Sequence, residues 1–232
     1  MLESKYRNSL IRKESLIGCS IFTLTYNHDD ILVDLALRIK SCSLCKLSST
    51  RLNTVPGEGN PKADIMFIGE APGQNEDREG RPFIGRAGNI LDRLLKSVYL
   101  SRKDVYITNM LKCRPPENRD PSLPEIKCCS DYLDQQISFI DPQVIVTLGR
   151  FSFGKFFPDK SPREYRGSIL DWYGRKILPM YHPAAALYNP SLIPRLMSDF
   201  NKLTNFLADI PVQDNTYSDQ LTSKPTQLKL FE

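Results

Sequence analysis

Four runs of apolar and β-branched residues divide the chain: ADIMFIG at 63–69, DVYITNM at 104–110, QVIVTLG at 143–149 and RKILPMYH at 175–182. Each has the length of a β-strand and predicts one. Between them the period lengthens to that of a helix, most clearly in AGNILDRLLKSVYL (87–100), where Leu91, Leu94, Leu95 and Val98 share one apolar face. Such alternation predicts an α/β domain whose parallel sheet is covered on both faces. Upstream, ILVDLALRIKSC from Ile31 predicts a short helix running into the first pair of cysteines. Residues 1–30 show no clean period and are expected to form an N-terminal extension, which places the domain at 31–208. Residues 209–232 are polar, aperiodic and interrupted by proline, the pattern of a flexible tail.

Sheets of this kind bind their ligands at the carboxyl ends of the strands. The first run enters its loop there, through GEAPGQNEDREGRPFIGRAG at 69–88, which is charged, punctuated by glycine and free of a Gly-x-Gly-x-x-Gly fingerprint for dinucleotides. With 232 residues, 41% apolar and 25% charged, the chain suits one domain with a full core. Its formal charge of +4 is compatible with DNA without being evidence for it. No run approaches the roughly 18 apolar residues of a transmembrane helix. GCSIFTLTY near the N-terminus lacks the cleavage site of a signal peptide, so a cytoplasmic protein is expected.

In that reducing compartment Cys19, Cys42, Cys45, Cys113, Cys128 and Cys129 are expected to be ligands or free thiols. Cys42-x-x-Cys45 lets one loop give two thiolates to one centre. Cys113 follows the second strand in KCRPPENRDP, where prolines forbid a continuous helix. At about 100° per residue, Cys129 shares a helix face with Ile126, Leu133, Ile137 and Ile140, and Cys128 points to the opposite, polar side. Cys129 is therefore the expected fourth ligand. Zinc and an iron–sulfur cluster both accept four thiolates, and spacing does not separate them.

Taken together, GEAPGQNED, GRPFIGRAG, TNMLKCRPPENR and YHPAAAL resemble the motifs of the family 4 uracil-DNA glycosylases, over about residues 31–205. The resemblance implies a three-layer α/β/α fold with a central four-stranded parallel sheet. It also implies a 4Fe-4S cluster rather than zinc on Cys42, Cys45, Cys113 and Cys129. The implied activity is monofunctional hydrolysis of the deoxyuridine N-glycosidic bond in single- or double-stranded DNA, releasing uracil and leaving an abasic site. Within it, Phe83 stacks on uracil, Asn109 pairs with its N3–H and O4, and His182 binds O2. Glu70 is the carboxylate nearest the reaction, beside the Ala71 backbone, in a loop where better-known uracil glycosylases carry an aspartate at the position of Ala71. Glu76 is a weaker second candidate, and Asp77 and Glu79 are expected to form a solvated rim. A non-catalytic iron–sulfur DNA-binding module of the same fold is the alternative. Glu70, Asn109 and His182 occurring together speak against it.

In HPAAALYNP, small or aromatic residues stand where relatives place a bulky aliphatic residue and an arginine, so Leu187 or Tyr188 is expected to wedge the duplex. Arg81, Arg86, Lys112, Arg114 and Arg119 are the cations expected near DNA phosphates. At the C-terminus, Gln227, Leu228, Leu230 and Phe231 resemble the pentapeptide that docks bacterial proteins on the DNA sliding clamp. A monomer is expected.

Overall fold

The computed structural model of the protein describes residues 28–208. Six strands form one sheet: β1 (Glu58–Gly59), β2 (Ile65–Gly69), β3 (Tyr106–Asn109), β4 (Val144–Leu148), β5 (Leu170–Trp172) and β6 (Arg175–Met180), in the order β1-β3-β2-β4-β6-β5. The four predicted runs are its parallel centre, β3-β2-β4-β6. Two short strands, β1 and β5, extend it antiparallel at either edge. Neither is long enough to show a period in the sequence. β5 returns into β6 through a two-residue turn at Tyr173 and Gly174, both at positive φ (50° and 86°), the turn that matches the twist of a hairpin.

Helices cover both faces: α1 (His28–Lys40), α2 (Gln74–Glu79), α3 (Arg86–Ser97), α4 (Leu123–Ile140), α5 (Arg150–Phe156), α6 (Pro162–Tyr165), α7 (Pro183–Tyr188) and α8 (Ile193–Ala208). Strand side chains alternate between two cores, as a period of two requires. Ile65, Phe67, Val144, Val146 and Leu178 pack with Leu91, Leu94 and Leu95 of α3 and Leu196 and Phe200 of α8. Met66, Ile68, Ile145 and Ile177 face Leu133 and Ile137 of α4 and Phe156 of α5. This is the expected three-layer sandwich, and it brings the carboxyl ends of β2, β3, β4 and β6 to one rim.

Helix α4 starts where Ser122 N–H donates to Glu125 Oε2 at 2.9 Å, a reciprocal cap that orients the turn carrying Cys128 and Cys129. Arg119 clasps the same carboxylate at 2.9 and 2.6 Å.

Candidate active site

The register that pairs Gly69 with Asn109 sets the floor of the site. A Cβ on Gly69 would press against Asn109 Oδ1 and lie 2.6 Å from Cζ of Phe83, so the amide and the ring meet over a glycine that leaves them room. Asn109 is 2% exposed and its Oδ1 has no hydrogen-bond partner. A buried acceptor left unpaired is unfavourable by about 1–3 kcal/mol, which marks the place for a donor from a ligand.

Phe83 stacks on His182 with centroids 5.4 Å apart and planes 26° apart. A base inserted between two rings needs about 7 Å, twice a carbon contact distance. The two rings therefore leave no room for a third planar group between them. His182 caps α7: its Nδ1 accepts from Ala184 N–H at 3.1 Å, which leaves the proton of the neutral ring on Nε2. Burial pulls its pKa down to about 4, against a smaller opposite pull from Glu76, so the ring is a neutral donor at physiological pH.

Glu70 follows β2 directly, half-buried. Burial pushes its pKa up, Asp120 adds to the rise, and Arg150, ion-paired to Asp120, opposes it. The ladder of β2 and β3 continues past both strands, with Met110 N–H on Gly69 O and Leu111 N–H on Glu70 O, each at 3.0 Å. Ala71 turns its side chain toward Leu47, Leu111, Cys113 and Cys129, tying the loop to the thiols.

Glu76 braces the loop. Its Oε1 accepts from Ile84 N–H at 2.9 Å and Gly85 N–H at 2.8 Å, holding α2 against the start of α3. Asp77 corrects the expectation of a solvated rim: it is 3% exposed and accepts from Leu52 N–H at 3.0 Å and Asn53 N–H at 3.3 Å. Its i+3/i+4 surroundings are polar, and only the distant 52–53 segment covers it. Glu79 stays exposed, paired with Arg78.

One contributor has no motif to announce it. Arg102 donates to Pro82 O at 2.8 Å and to Phe83 O, while ion pairs at 2.6 Å to Glu58 and Asp92 hold its guanidinium. Phe83 sits at φ 52°, a conformation that non-glycine residues adopt only when neighbours enforce it. Arg102 supplies that enforcement.

Cys42, Cys45, Cys113 and Cys129 line one pocket with Arg51, Lys112 and Tyr132. Cys128 lines it too, which corrects its predicted place on the outer side of α4. The pocket straddles the helix edge between α4 and the 42–51 segment, so two positions about 100° apart both reach it. Among the described residues no three His, Cys, Asp or Glu side chains converge as ligands of a single metal ion. The thiols line the same recess instead. Arg51 Nη1 donates to Cys113 Sγ at 3.2 Å, and the Lys112 N–H to Cys129 Sγ at 3.3 Å. Burial pushes Cys45 and Cys113 up and Cys129 to about 11, so thiolates there need a cation to draw off their protons. Cys19 lies outside the described residues.

The family model of the uracil DNA glycosylase superfamily matches residues 56–209. The chain is 50% identical over 193 residues to the type-4 uracil-DNA glycosylase of Saccharolobus solfataricus, covering 79% of this chain and 88% of that protein. It is 51% identical over 184 residues to the type-4 enzyme of Sulfurisphaera tokodaii (75% and 84% covered) and 47% over 182 to that of Archaeoglobus fulgidus (74% and 91%). The chain belongs to the uracil DNA glycosylase superfamily.

On this uracil DNA glycosylase fold, the residues expected at DNA divide sharply. Arg86 is exposed at the first turn of α3, and Arg114 is half-buried, its Nε on Asn118 Oδ1 at 2.8 Å. Tyr188, ending α7, is 90% exposed, whereas Leu187 is half-buried. Arg81 and Arg119 are engaged with Glu58 and Glu125. Lys112 is no phosphate contact: at 1% exposure it lies wholly inside. No helix among the described residues is long and apolar enough to cross a membrane. Gln227, Leu228, Leu230 and Phe231 lie outside the described residues.

Proposed function

We propose that the protein is a monofunctional uracil-DNA glycosylase, which hydrolyses the N-glycosidic bond of deoxyuridine in DNA and leaves an abasic site. The observation that carries this is the buried, unpartnered Oδ1 of Asn109 beside Phe83 and the neutral His182. An asparagine amide can accept from uracil N3–H and donate to O4. Cytosine reverses that pattern and would leave both groups mismatched in a buried site. With the base on Phe83, His182 Nε2–H donates to O2 and stabilises the negative charge that grows on the base as its bond to C1′ breaks. Glu70, ionised, faces the cationic sugar and orients the water that adds to C1′. Lys112 has its Nζ held by three oxygens, which removes it as a nucleophile for strand scission.

Cys42, Cys45, Cys113 and Cys129 would hold a 4Fe-4S cluster, a donor set that suits one. Bound there, it would supply the positive charge that keeps the buried thiols ionised, and its ligands would tie together the end of α1, the loop after β3 and the start of α4. We assign the protein to the cytoplasm, where reduced thiols and DNA coexist. Gln227, Leu228, Leu230 and Phe231 would dock on the bacterial sliding clamp, and retention of clamp pull-down after deletion of residues 226–232 would dismiss that role.

The test of the activity uses an oligonucleotide with one deoxyuridine. Scission that appears only after hot alkali, and disappears in a Glu70→Gln, His182→Ala double variant, supports the proposal. A folded wild-type protein that leaves the oligonucleotide intact would make it a binding module.

A further inference from the structure

The fully buried Lys112 has a role that neither the reaction nor the thiol pocket accounts for. Burial pulls its pKa down to about 7, and in the protonated form its three N–H groups meet three oxygens: Thr108 Oγ1 at 2.7 Å, the main-chain O of Asn109 at 2.7 Å and Gln136 Oε1 at 2.6 Å. All three acceptors are neutral. A buried ammonium without a carboxylate is unfavourable by several kcal/mol, and a methionine would fill the same space without that penalty. What the lysine supplies is direction.

The ladder explains why direction is needed. β1 pairs antiparallel with β3 at Gly59–Tyr106 and Glu58–Ile107, and beyond that the chain leaves the register, with Val55 N–H donating to Lys112 O at 2.8 Å. Pro56, which lies between, has no N–H to offer the Asn109 carbonyl. The Lys112 ammonium takes that place. Around it the network closes: Thr108 Oγ1 donates to Pro56 O at 2.8 Å, and Gln136 Nε2 donates to Pro56 O at 2.8 Å and Tyr106 OH at 3.3 Å. Meanwhile the Lys112 backbone N–H is fixed on Cys129 Sγ. One residue thus grips the thiol pocket by its main chain and the main chain of Asn109 by its side chain.

We propose that Lys112 is a positioning residue for base recognition, holding the backbone of Asn109 so that its amide is aimed at the uracil N3–H and O4 edge. This rests on the glycosylase reading of the pocket. It also gives the thiol centre a path to the base pocket through two consecutive hydrogen bonds of a single residue.

The test measures competition by free uracil and by 3-methyluracil, which lacks the N3–H, in wild type, Lys112→Met and Gln136→Met, with iron content and melting temperature recorded for each. The expected result is a wild-type preference for uracil that falls about tenfold, near 1.4 kcal/mol, in Lys112→Met, with iron content unchanged. Gln136→Met, which keeps the lysine and removes one of its acceptors, is expected to move the preference in the same direction by less, and it decides the question if Lys112→Met does not fold. A preference that survives intact while only the melting temperature drops would make Lys112 a structural residue and overturn the inference alone. A wild-type protein that binds both compounds equally would overturn the pocket reading and this inference with it.

Discussion

Gly69 and Asn109 face each other across β2 and β3 so closely that a methyl group on the glycine would collide with the asparagine Oδ1. Gly69→Ala is expected to fold, because the residue is an ordinary strand position without positive φ. Its methyl would displace the amide and the Phe83 ring together. A shift of that size at a recognition group lowers kcat/KM by about 100-fold. Equal activity in wild type and variant would place the base elsewhere.

Glu70 is expected to set the acid limb of the pH profile. Its folded pKa is raised, so the ionised form that the reaction uses is lost as pH falls through a value above the ordinary carboxylate range. Asp120→Asn removes a charge that raises it and should move that limb to lower pH; Arg150→Met should move it higher. His182 stays neutral until about pH 4, below that limb, and nitrogen NMR of the imidazole should find the Nε2–H tautomer above it. A limb that ignores both substitutions would separate Glu70 from the rate.

Glu76 tests bracing against chemistry. Glu76→Gln keeps an oxygen for the Ile84 and Gly85 N–H groups and should retain activity within about tenfold. Glu76→Ala leaves both donors unpaired and should lower stability by about 1–3 kcal/mol, read by denaturant titration. If the glutamine variant is as inactive as Glu70→Gln, the carboxylate charge itself takes part.

The two adjacent cysteines of α4 should separate by iron content. Cys129→Ser is expected to lose most of its iron, since Cys129 Sγ is buried and held by the Lys112 N–H. Cys128→Ser should retain about four irons per chain. The reverse outcome would exchange their roles.

Tyr188 should matter only where there is a helix to wedge. Tyr188→Ala is expected to lower cleavage of duplex substrate about tenfold and leave single-stranded substrate unchanged, with Leu187→Ala weaker because Leu187 is half-buried. A uniform loss on both substrates would remove the wedge role.

Local pattern was enough for much of this protein. Strand runs, the α3 face and the phase of Cys129 on α4 follow from periods of 2 and 3.6, which depend only on near neighbours in sequence. The resemblance of their motifs to the family 4 uracil-DNA glycosylases singled out Glu70, Phe83, Asn109 and His182, each of which closes a strand or its loop at the same rim. What the sequence left open involves partners far along the chain. Asp77 looks like a surface acid until Leu52, 25 positions away, covers it, and Lys112 looks like a DNA contact until Gln136 and Thr108 enclose it. Arg102 carries no motif and gains its role only where Phe83, Glu58 and Asp92 converge on it. Cys128 reaches the thiol pocket because that pocket wraps an edge of α4, which a single helix cannot foretell. Burial and hydrogen bonding of charged groups are properties of tertiary neighbours, and periodicity along one element carries no record of them.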